Sequence, residues 1–546
     1  MEFEFPPLPP PRIDGPMNSR PASTRPGIAK SPENGSINGK PATPSGCQQP
    51  RRGIDIRVLA DDSDVVLHWA EPSPSTSSRP PSIEILFHVP SAALMEMNPY
   101  FSVLLDPNKF SEGGSLADKT SRLVEKYGSP MRGRLDQVQF DELPKVEIGA
   151  VGLIAKHVNE ADVFEFFLRM LICASGNKGQ RDEIVATLAL KPAPFLASLI
   201  VVAEHFNGPD VLKTLMKESR CAVNLTKDKL LKSVGVGGVR HSNEERIRQA
   251  LYVGVFLDHH RVTCALSHAL IMMGSKVWFC AGDDADSKTE KPIWWHFPEG
   301  IEEELYYRHQ CILHTIADLQ THFLNLYGAL NHPSEPGSAA SNSATRQLPA
   351  RSIQCRWGAA NSIACDSFHL GEYIRFLSLR TGTLSLESTL IDPDLGGDSG
   401  YSSDLSSSFL GRSRSAGTVG VPTDINALLI ALRQCPDYQI DSGHSSCGIR
   451  RRLNPLLDYI EVFAKSEHTV GLCLTRWRDL METESWSTKY TKGNGAVNVS
   501  HSKMIDSIMY PTSGDDGHHV PICWLCDRHN KKGRALFTAR KRVWDS

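Results

Sequence analysis

The side chains with the greatest chemical potential are soft metal ligands in the C-terminal half. Cys355 and Cys365 are followed by Cys435, His444 and Cys447, the densest run of such residues in the chain. Zinc takes four ligands in a tetrahedral shell, with cysteine sulfur and histidine nitrogen preferred. His444-x2-Cys447 is a close ligand pair, and Pro436, Gly443 and Gly448 supply the bends that wrap a loop round an ion. The expected set is Cys355, Cys435, His444 and Cys447, with Cys365 as substitute. A structural zinc is therefore the one cofactor the motifs suggest. The same residues also suit a group of buried free thiols, because free cysteine is among the most buried residue types.

Further along, Cys523-x2-Cys526 and His529 make only a half site. They precede Lys531, Lys532, Arg534, Arg540, Lys541 and Arg542, a run read as a solvated basic tail with nuclear import or anionic contact as the alternative. The commoner catalytic frames are missing from the sequence: no P-loop, no Rossmann glycine fingerprint, no HExxH and no GxSxG elbow. Gly235 to Gly238 lacks the lysine and hydroxyl of a phosphate loop. The chain reads as non-enzymatic, with a zinc- or cysteine-dependent transfer in the C-terminal block as the remaining enzymatic alternative.

Bulk properties agree with a binding role. The 546 residues carry 59 basic and 62 acidic side chains for a net charge of -3, so wholesale attraction to nucleic acid or anionic lipid is not expected. No apolar run nears the roughly 18 to 20 residues of a membrane span, and Phe195 to Ala203 is the longest clean stretch. The opening MEFEFPPLPPPR is acidic and proline-broken, unlike a secretory signal. A soluble intracellular protein of cytoplasm or nucleus is expected, with its thirteen cysteines as thiols or metal ligands.

Composition divides the chain. Residues 1–53 are rich in Pro, Ser, Gly and Asn and are read as disordered, since too few apolar groups are present to offset ordering entropy. A globular block follows over 54–223, a helical region over 224–332, a linker over 333–350, and a Cys-rich block over 351–486 interrupted by a disordered loop at 392–422. A linker and the basic tail occupy 487–546.

In the globular block, Ser63 to Trp69 and Ile83 to Val89 have the β-branched pattern of strands, and Lys145 to Ile148 suits a third. Pro90 ends the pairing, Ser91 can cap a short helix, and Asn98-Pro99 is a helix start with Phe101, Leu104 and Leu105 as its buried stripe. Helical faces follow at Val163 to Leu171, Phe195 to Ala203 and Val211 to Met216. Downstream, Leu305, Ile312, Ile316, Leu319, Phe323, Leu326 and Leu330 mark a long amphipathic helix over 301–330, with Glu302, Glu303 and Glu304 at its positive end. Two more helices are expected at 243–256 and 262–273. His309, His314 and His322 on the long helix lack the i, i+4 relation of a two-ligand metal face and are read as structural.

This order of elements resembles a BTB/POZ domain. The likeness rests on Ser63-Asp64-Val65, Phe87-His88-Val89-Pro90-Ser91 leading to Leu94, Asn98-Pro99-Tyr100-Phe101, Leu104-Leu105, Val146-Glu147-Ile148, the Phe164 to Leu171 helix, and Leu199 to Phe206. The fold class it implies is α+β, a small sheet flanked by helices, followed by a mainly α-helical C-terminal region. Insertions relative to the family lie at about 111–143 and 176–189. Segments 362–390 and 433–459 are similar to C-terminal regions of BTB proteins from filamentous fungi. Function implied by the resemblance is by surface: homodimerisation, hetero-association, or presentation of a client to a cullin-RING ubiquitin ligase. Phe110-Ser111-Glu112 stands where adaptor members carry the hydrophobic-x-Glu element that contacts the cullin; the plain alternative is a core Phe110 and a solvated Glu112.

Short linear signals add expectations. Pro7, Pro10 and Arg12 set a PxxPxR frame in which a polyproline II rod can meet an SH3 or WW module, or serve as spacer. Asp398 to Ser403 fits a DSGxxS phosphodegron, as does Asp441 to Ser446. The expected function is a BTB-mediated dimerising scaffold or ubiquitin-ligase adaptor. A BTB-containing transcriptional or chromatin regulator is the alternative, although no zinc-finger array or helix-turn-helix accompanies it.

Overall fold

A computed structural model describes residues 54–70, 84–128, 135–152, 154–226, 241–275, 278, 291–329, 353–355, 361–381, 424–486, 496–500, 523–539 and 541–545. The proline frame of Pro7, Pro10 and Arg12 and the motif at 398–403 lie outside them. Residues Gly53–Ser546 form one compact unit, so the blocks read from composition share a common core.

Four strands, β1 (Ile54–Val58), β2 (Val65–Ala70), β3 (Glu84–Val89) and β4 (Lys145–Gly149), form a mixed sheet in the order β1-β3-β2-β4. β2 and β3 are antiparallel, with Leu67 opposite Phe87, while β1 runs parallel to β3 and β4 parallel to β2. Side chains alternate across a strand. One face therefore presents Val65, Leu67, Trp69, Ile85, Phe87, Val89, Val146 and Ile148, all buried in the main core. β1 lies upstream of the first strand expected from the sequence, because its IDIRV pattern is only half-buried at the sheet edge.

Helices α1 (Ser91–Met97), α2 (Pro99–Leu104), α3 (Ser111–Tyr127), α4 (Glu160–Ser175), α5 (Lys178–Leu190), α6 (Ala193–His205) and α7 (Pro209–Ser219) complete this half. Against the first face, Phe164 of α4 lies 4.7 Å from Trp69 and 5.0 Å from Phe206, ring centre to ring centre. Such pairs add roughly 0.5–1.5 kcal/mol beyond their buried area. Asn98 caps α2 by accepting from Phe101 N at 3.2 Å, and its amide donates to Phe206 O at 3.0 Å, which fastens α2 to the end of α6. Gly208 is required there, since a Cβ would stand 2.7 Å from the Asn98 amide nitrogen and 3.0 Å from the Phe167 ring. The expected Ser91 cap takes a different form. Pro90 occupies the cap position, and Asp64 reaches across from the start of β2 to accept from Ser91 N at 2.6 Å and Ser91 Oγ at 2.8 Å.

The stretch at 111–143 is part of the fold rather than an excursion from it. Its helix α3 and two short 3-10 turns lay Leu123, Leu135, Val138 and Leu143 against Val66 and Leu86 on the sheet's second face, with Ile54 packed beside them. The extension at 176–189 is likewise helical, α5 burying Ile184 and Leu188 at i, i+4 spacing.

The remaining helices are α8 (Cys221–Thr226), α9 (His241–Phe256), α10 (His260–Met273), α11 (Ile301–Leu326), α12 (Ser362–Phe376) with a π turn at Leu377–Thr381, α13 (Ile425–Arg433), α14 (Arg450–Ala464), α15 (Glu467–Val470), α16 (Leu474–Glu484) and α17 (Cys523–Thr538). β5 (Ala496–Ser500) and β6 (Lys541–Asp545) pair in parallel as a separate two-stranded sheet. Of the basic run read as a solvated tail, Lys531 and Lys532 are exposed, whereas Arg534 is half-buried and Arg542 buried. Arg534 Nη2 donates to Ser485 O at 2.7 Å, and Arg542, 7 % exposed, donates to Leu536 O and Phe537 O at 2.7 Å each and pairs with Asp318 of α11. These arginines satisfy carbonyls at chain turns, a role that a count of basic residues does not distinguish from solvation.

If α3 seals the second face of the sheet, adjacent positions on it must differ sharply. Leu123→Ala is expected to cost about 2–5 kcal/mol of stability, and Val124→Ala, at a site 36 % exposed, no more than about 0.5 kcal/mol. Urea denaturation of the two variants measures the difference; equal midpoints would mean that α3 does not seal that face.

Candidate metal centre

Three chain segments converge on one buried cluster of sulfur. Cys355 lies in the extended piece at 353–355, Cys365 in the first turn of α12, and Cys447 at the end of a tight turn before α14. Gln354 holds the first piece in place: its N–H donates to Asp366 Oδ2 at 2.9 Å, and its carbonyl accepts from Arg452 Nη2 at 2.8 Å. The turn at 441–447 is set by Asp441, whose carboxylate accepts from Gly443 N at 2.8 Å and from His444 Nδ1 at 2.7 Å. Tyr327, just past α11, donates its hydroxyl to Cys447 O at 3.3 Å.

Cys355, Cys365 and Cys447 are free thiols exposed by 6 %, 0 % and 1 %, with their Sγ atoms all within 4.8 Å of one another. The Cys355 and Cys447 sulfurs are 3.8 Å apart. Tetrahedral coordination with metal–sulfur bonds of about 2.3 Å spaces sulfurs about 3.8 Å apart, so this pair is already at ligand separation. Burial, reinforced by Cys447 and Cys355, pushes the Cys365 thiol up to about 12. The buried cluster of three cysteines can hold a metal ion.

His444 stands at the edge of this group. It is 6 % exposed, it interacts with the Cys355 thiol, and its Nε2 has no hydrogen-bond partner among the described residues. The hydrogen bond to Asp441, and then the charge of that carboxylate, raise the His444 pKa despite its burial.

Of the four ligands expected from the sequence, the structure gathers Cys355, Cys447 and the neighbouring His444, and substitutes Cys365 for Cys435. Cys435 lies in the main apolar core instead, its Sγ 3.8 Å from Pro436 O and its thiol pushed up to about 12 by burial. His369 went unnoticed in the sequence. It follows Cys365 by one turn on α12, is 5 % exposed, and its Nε2 also lacks a hydrogen-bond partner among the described residues. The signal was the i, i+4 spacing of Cys365 and His369, a relation sought only among the histidines of α11. The second DSGxxS match, Asp441 to Ser446, is the turn that presents His444.

No family model matches the chain, and no curated protein or solved structure is significantly similar to it. The site is therefore read from its own geometry.

The other sites separate cleanly from this cluster. Phe110 precedes α3 at its N-cap position and is 53 % exposed, and Glu112 is exposed in the first turn. The plain alternative of a core Phe110 is thereby excluded. The side chains of Cys523, Cys526 and His529 lie outside the described residues, although their backbone is helical in α17. A further sulfur–imidazole contact joins Cys473 Sγ, at the N-cap of α16, to His260 Nδ1 at 3.3 Å, with Cys473 8 % exposed.

The α11 histidines occupy packing positions. His309 donates from Nδ1 to Ile271 O at 2.7 Å, and burial lowers His309, His314 and His322 each to about 4. Between pH 6.5 and 4 the unfolded chain binds these protons and the folded chain does not, so stability rises with pH across that window and is lost as pH falls through it. Each ring contributes up to ~1.4 kcal/mol per pH unit. His309→Gln is expected to flatten the acid limb of a stability-versus-pH curve measured by urea unfolding. An unchanged limb would contradict a neutral, buried His309.

Proposed function

We propose that this protein is a non-enzymatic interaction scaffold whose N-terminal half is a BTB/POZ-type module. In this reading it self-associates and presents a client to a cullin-RING ubiquitin ligase. The order of β2, β3, α1, α2, β4, α4, α6 and α7 supports it, as it matches the order on which the sequence resemblance rests. The observation that carries the reading is the exposure of Phe110 next to Glu112. A lone exposed apolar residue is ordinary, but an aromatic ring beside a carboxylate at a helix start is the anchor-plus-charge pair that protein interfaces use. For self-association the supporting feature is the edge strand β1, where Ile56 and Val58 are 51 % and 55 % exposed beside an edge that no strand pairs among the described residues.

The ion best suited to the buried cysteines is zinc in a structural role, since thiolate and imidazole donors select it and a closed shell serves folding rather than catalysis. The regulator alternative loses its strongest support, because Arg534 and Arg542 of the basic segment are engaged with backbone carbonyls and Asp318. No helix among the described residues is long and apolar enough to cross a membrane.

Affinity capture of the full chain tests the adaptor reading. Wild-type protein is expected to retain a cullin, and the double variant Phe110→Ala, Glu112→Ala to lose it while keeping the wild-type unfolding midpoint. Absence of a cullin from both samples would remove the ligase role.

A further inference from the structure

The zinc reading above rests on three sulfurs, and tetrahedral zinc needs a fourth donor. Four residues surrounding the sulfurs compete for that place or support it. Cys435 is the sulfur nearest in sequence, but its side chain belongs to the main core and turns to Pro436 O. His369 is carried by the same helix as Cys365, and the charged groups that act on it are Asp366, Asp437, His444 and Arg452. His444 stands just outside the three sulfurs that lie within 4.8 Å of one another, but among these four it is the one whose interactions include a cluster sulfur, that of Cys355. Asp441 does not face the sulfurs; it grips the other side of the His444 ring.

We infer that His444 completes a Cys3His zinc shell with Cys355, Cys365 and Cys447, ligating through Nε2 while Asp441 orients the ring through Nδ1. Three observations meet in it. The imidazole is more than nine-tenths buried, and its Nε2, the atom away from Asp441, has no hydrogen-bond partner among the described residues. A buried nitrogen left unpaired costs free energy that a metal bond removes. Asp441 accepts from Nδ1 at 2.7 Å, which fixes the proton there and leaves the Nε2 lone pair to bind. A carboxylate behind the imidazole is the usual outer partner of a zinc-bound histidine, fixing tautomer and raising ligand basicity. Finally, the ligands come from three separate segments, Cys355 and Cys447 being 92 positions apart, so the ion acts as a crosslink in a region with little sheet to hold it.

On binding, each thiol gives up its proton to solvent and the sulfur donates an electron pair to Zn2+, while His444 ligates as the neutral ring. The shell is closed, with no position for a water. The role is structural.

The experiment uses the purified full chain loaded with zinc. Metal analysis is expected to give one zinc per chain, and X-ray absorption at the zinc edge a first shell of three sulfurs at about 2.3 Å and one nitrogen at about 2.0 Å. Cys435→Ser and His369→Ala are expected to keep the ion at wild-type affinity. Asp441→Asn is expected to weaken it about 10- to 100-fold, the usual effect of losing such an outer partner, and His444→Ala more than that. His444→Cys should restore binding with a four-sulfur shell, which separates loss of a ligand from loss of fold. A folded chain without zinc would overturn the site as a whole. Zinc held by four sulfurs in the wild type, or lost on Cys435→Ser or His369→Ala, would overturn the assignment of His444 alone. Neither result bears on cullin capture through Phe110 and Glu112.

Discussion

The fold turns on the charges that α11 carries into the core. Glu302, Glu304, Arg308 and Asp318 are between 1 % and 4 % exposed. Taking such groups out of water costs several kcal/mol each unless partners replace the lost hydration. Apart from the Arg308–Glu304 pair within the helix itself, the partners come from elsewhere in the chain. Arg248 of α9, fully buried, makes two parallel bonds to Glu302 at 2.9 and 3.0 Å, under the ring of Trp295. Arg308 bonds Glu304 at 2.7 Å and donates to Val470 O and Gly471 O, and Glu304 accepts from Trp486 N and Ser485 Oγ. Asp318 takes Arg542 from β6. Replacing a pair with apolar residues can be neutral, but removing one member strands the other. The long helix is therefore compatible with its surroundings only when three distant segments have arrived together, which makes the C-terminal residues part of the core.

That arrangement explains where the sulfur cluster sits. Near the end of α11 the charges give way to Phe323 and Tyr327, which meet Tyr373 of α12 and the carbonyl of Cys447. Two polar contacts, Gln354 with Asp366 and with Arg452, hold the Cys355 segment against α12 and α14. The neighbouring chain is short segments rather than sheet. An ion linking such segments would restrict the unfolded chain as a long-range crosslink does, stabilising the region without enlarging the apolar core.

How much was legible follows from which signals are local. β2, β3, β4, α9, α10 and α11 were read from periodicity within a few residues, and the Asn98-Pro99 start was read from capping chemistry. β1 escaped because Ile54, Ile56 and Val58 alternate with charges at an edge. α3 escaped because its apolar residues are few: Leu116 and Leu123 are seven apart in a stretch of Gly, Ser and charge, and only the packing explains them, Leu116 in the main core and Leu123 against the second face of the sheet. The ligand set was legible as a set of types. Which cysteines join was not, since Cys435 and Cys365 are equal in sequence and differ only in the direction the packed helices give them. The glutamates at the start of α11 are the same case: a dipole argument put them there, but Glu302 and Glu304 are buried with arginine partners while Glu303 stays in solvent.

The covering of the sheet also decides how a partner can approach. The first face is covered by α4, whose Phe164 meets Trp69 and Phe87, and the second by α3 and the turns that follow it, short of β1. A protein partner therefore has the rims to use. One rim is β1, whose outer side no strand pairs among the described residues and whose Ile56 and Val58 remain exposed; charges at such an edge normally discourage pairing, and here Arg57 is drawn away to Asp162 and Glu165 on the covered side. The other is the corner where α2 ends and α3 begins. Gly113 fixes that corner, since a Cβ would lie 2.3 Å from Asp106 O. The close approach holds the start of α3 against the loop at Asp106, so the same corner that sends α3 toward the sheet carries Phe110 and Glu112 side by side on the rim.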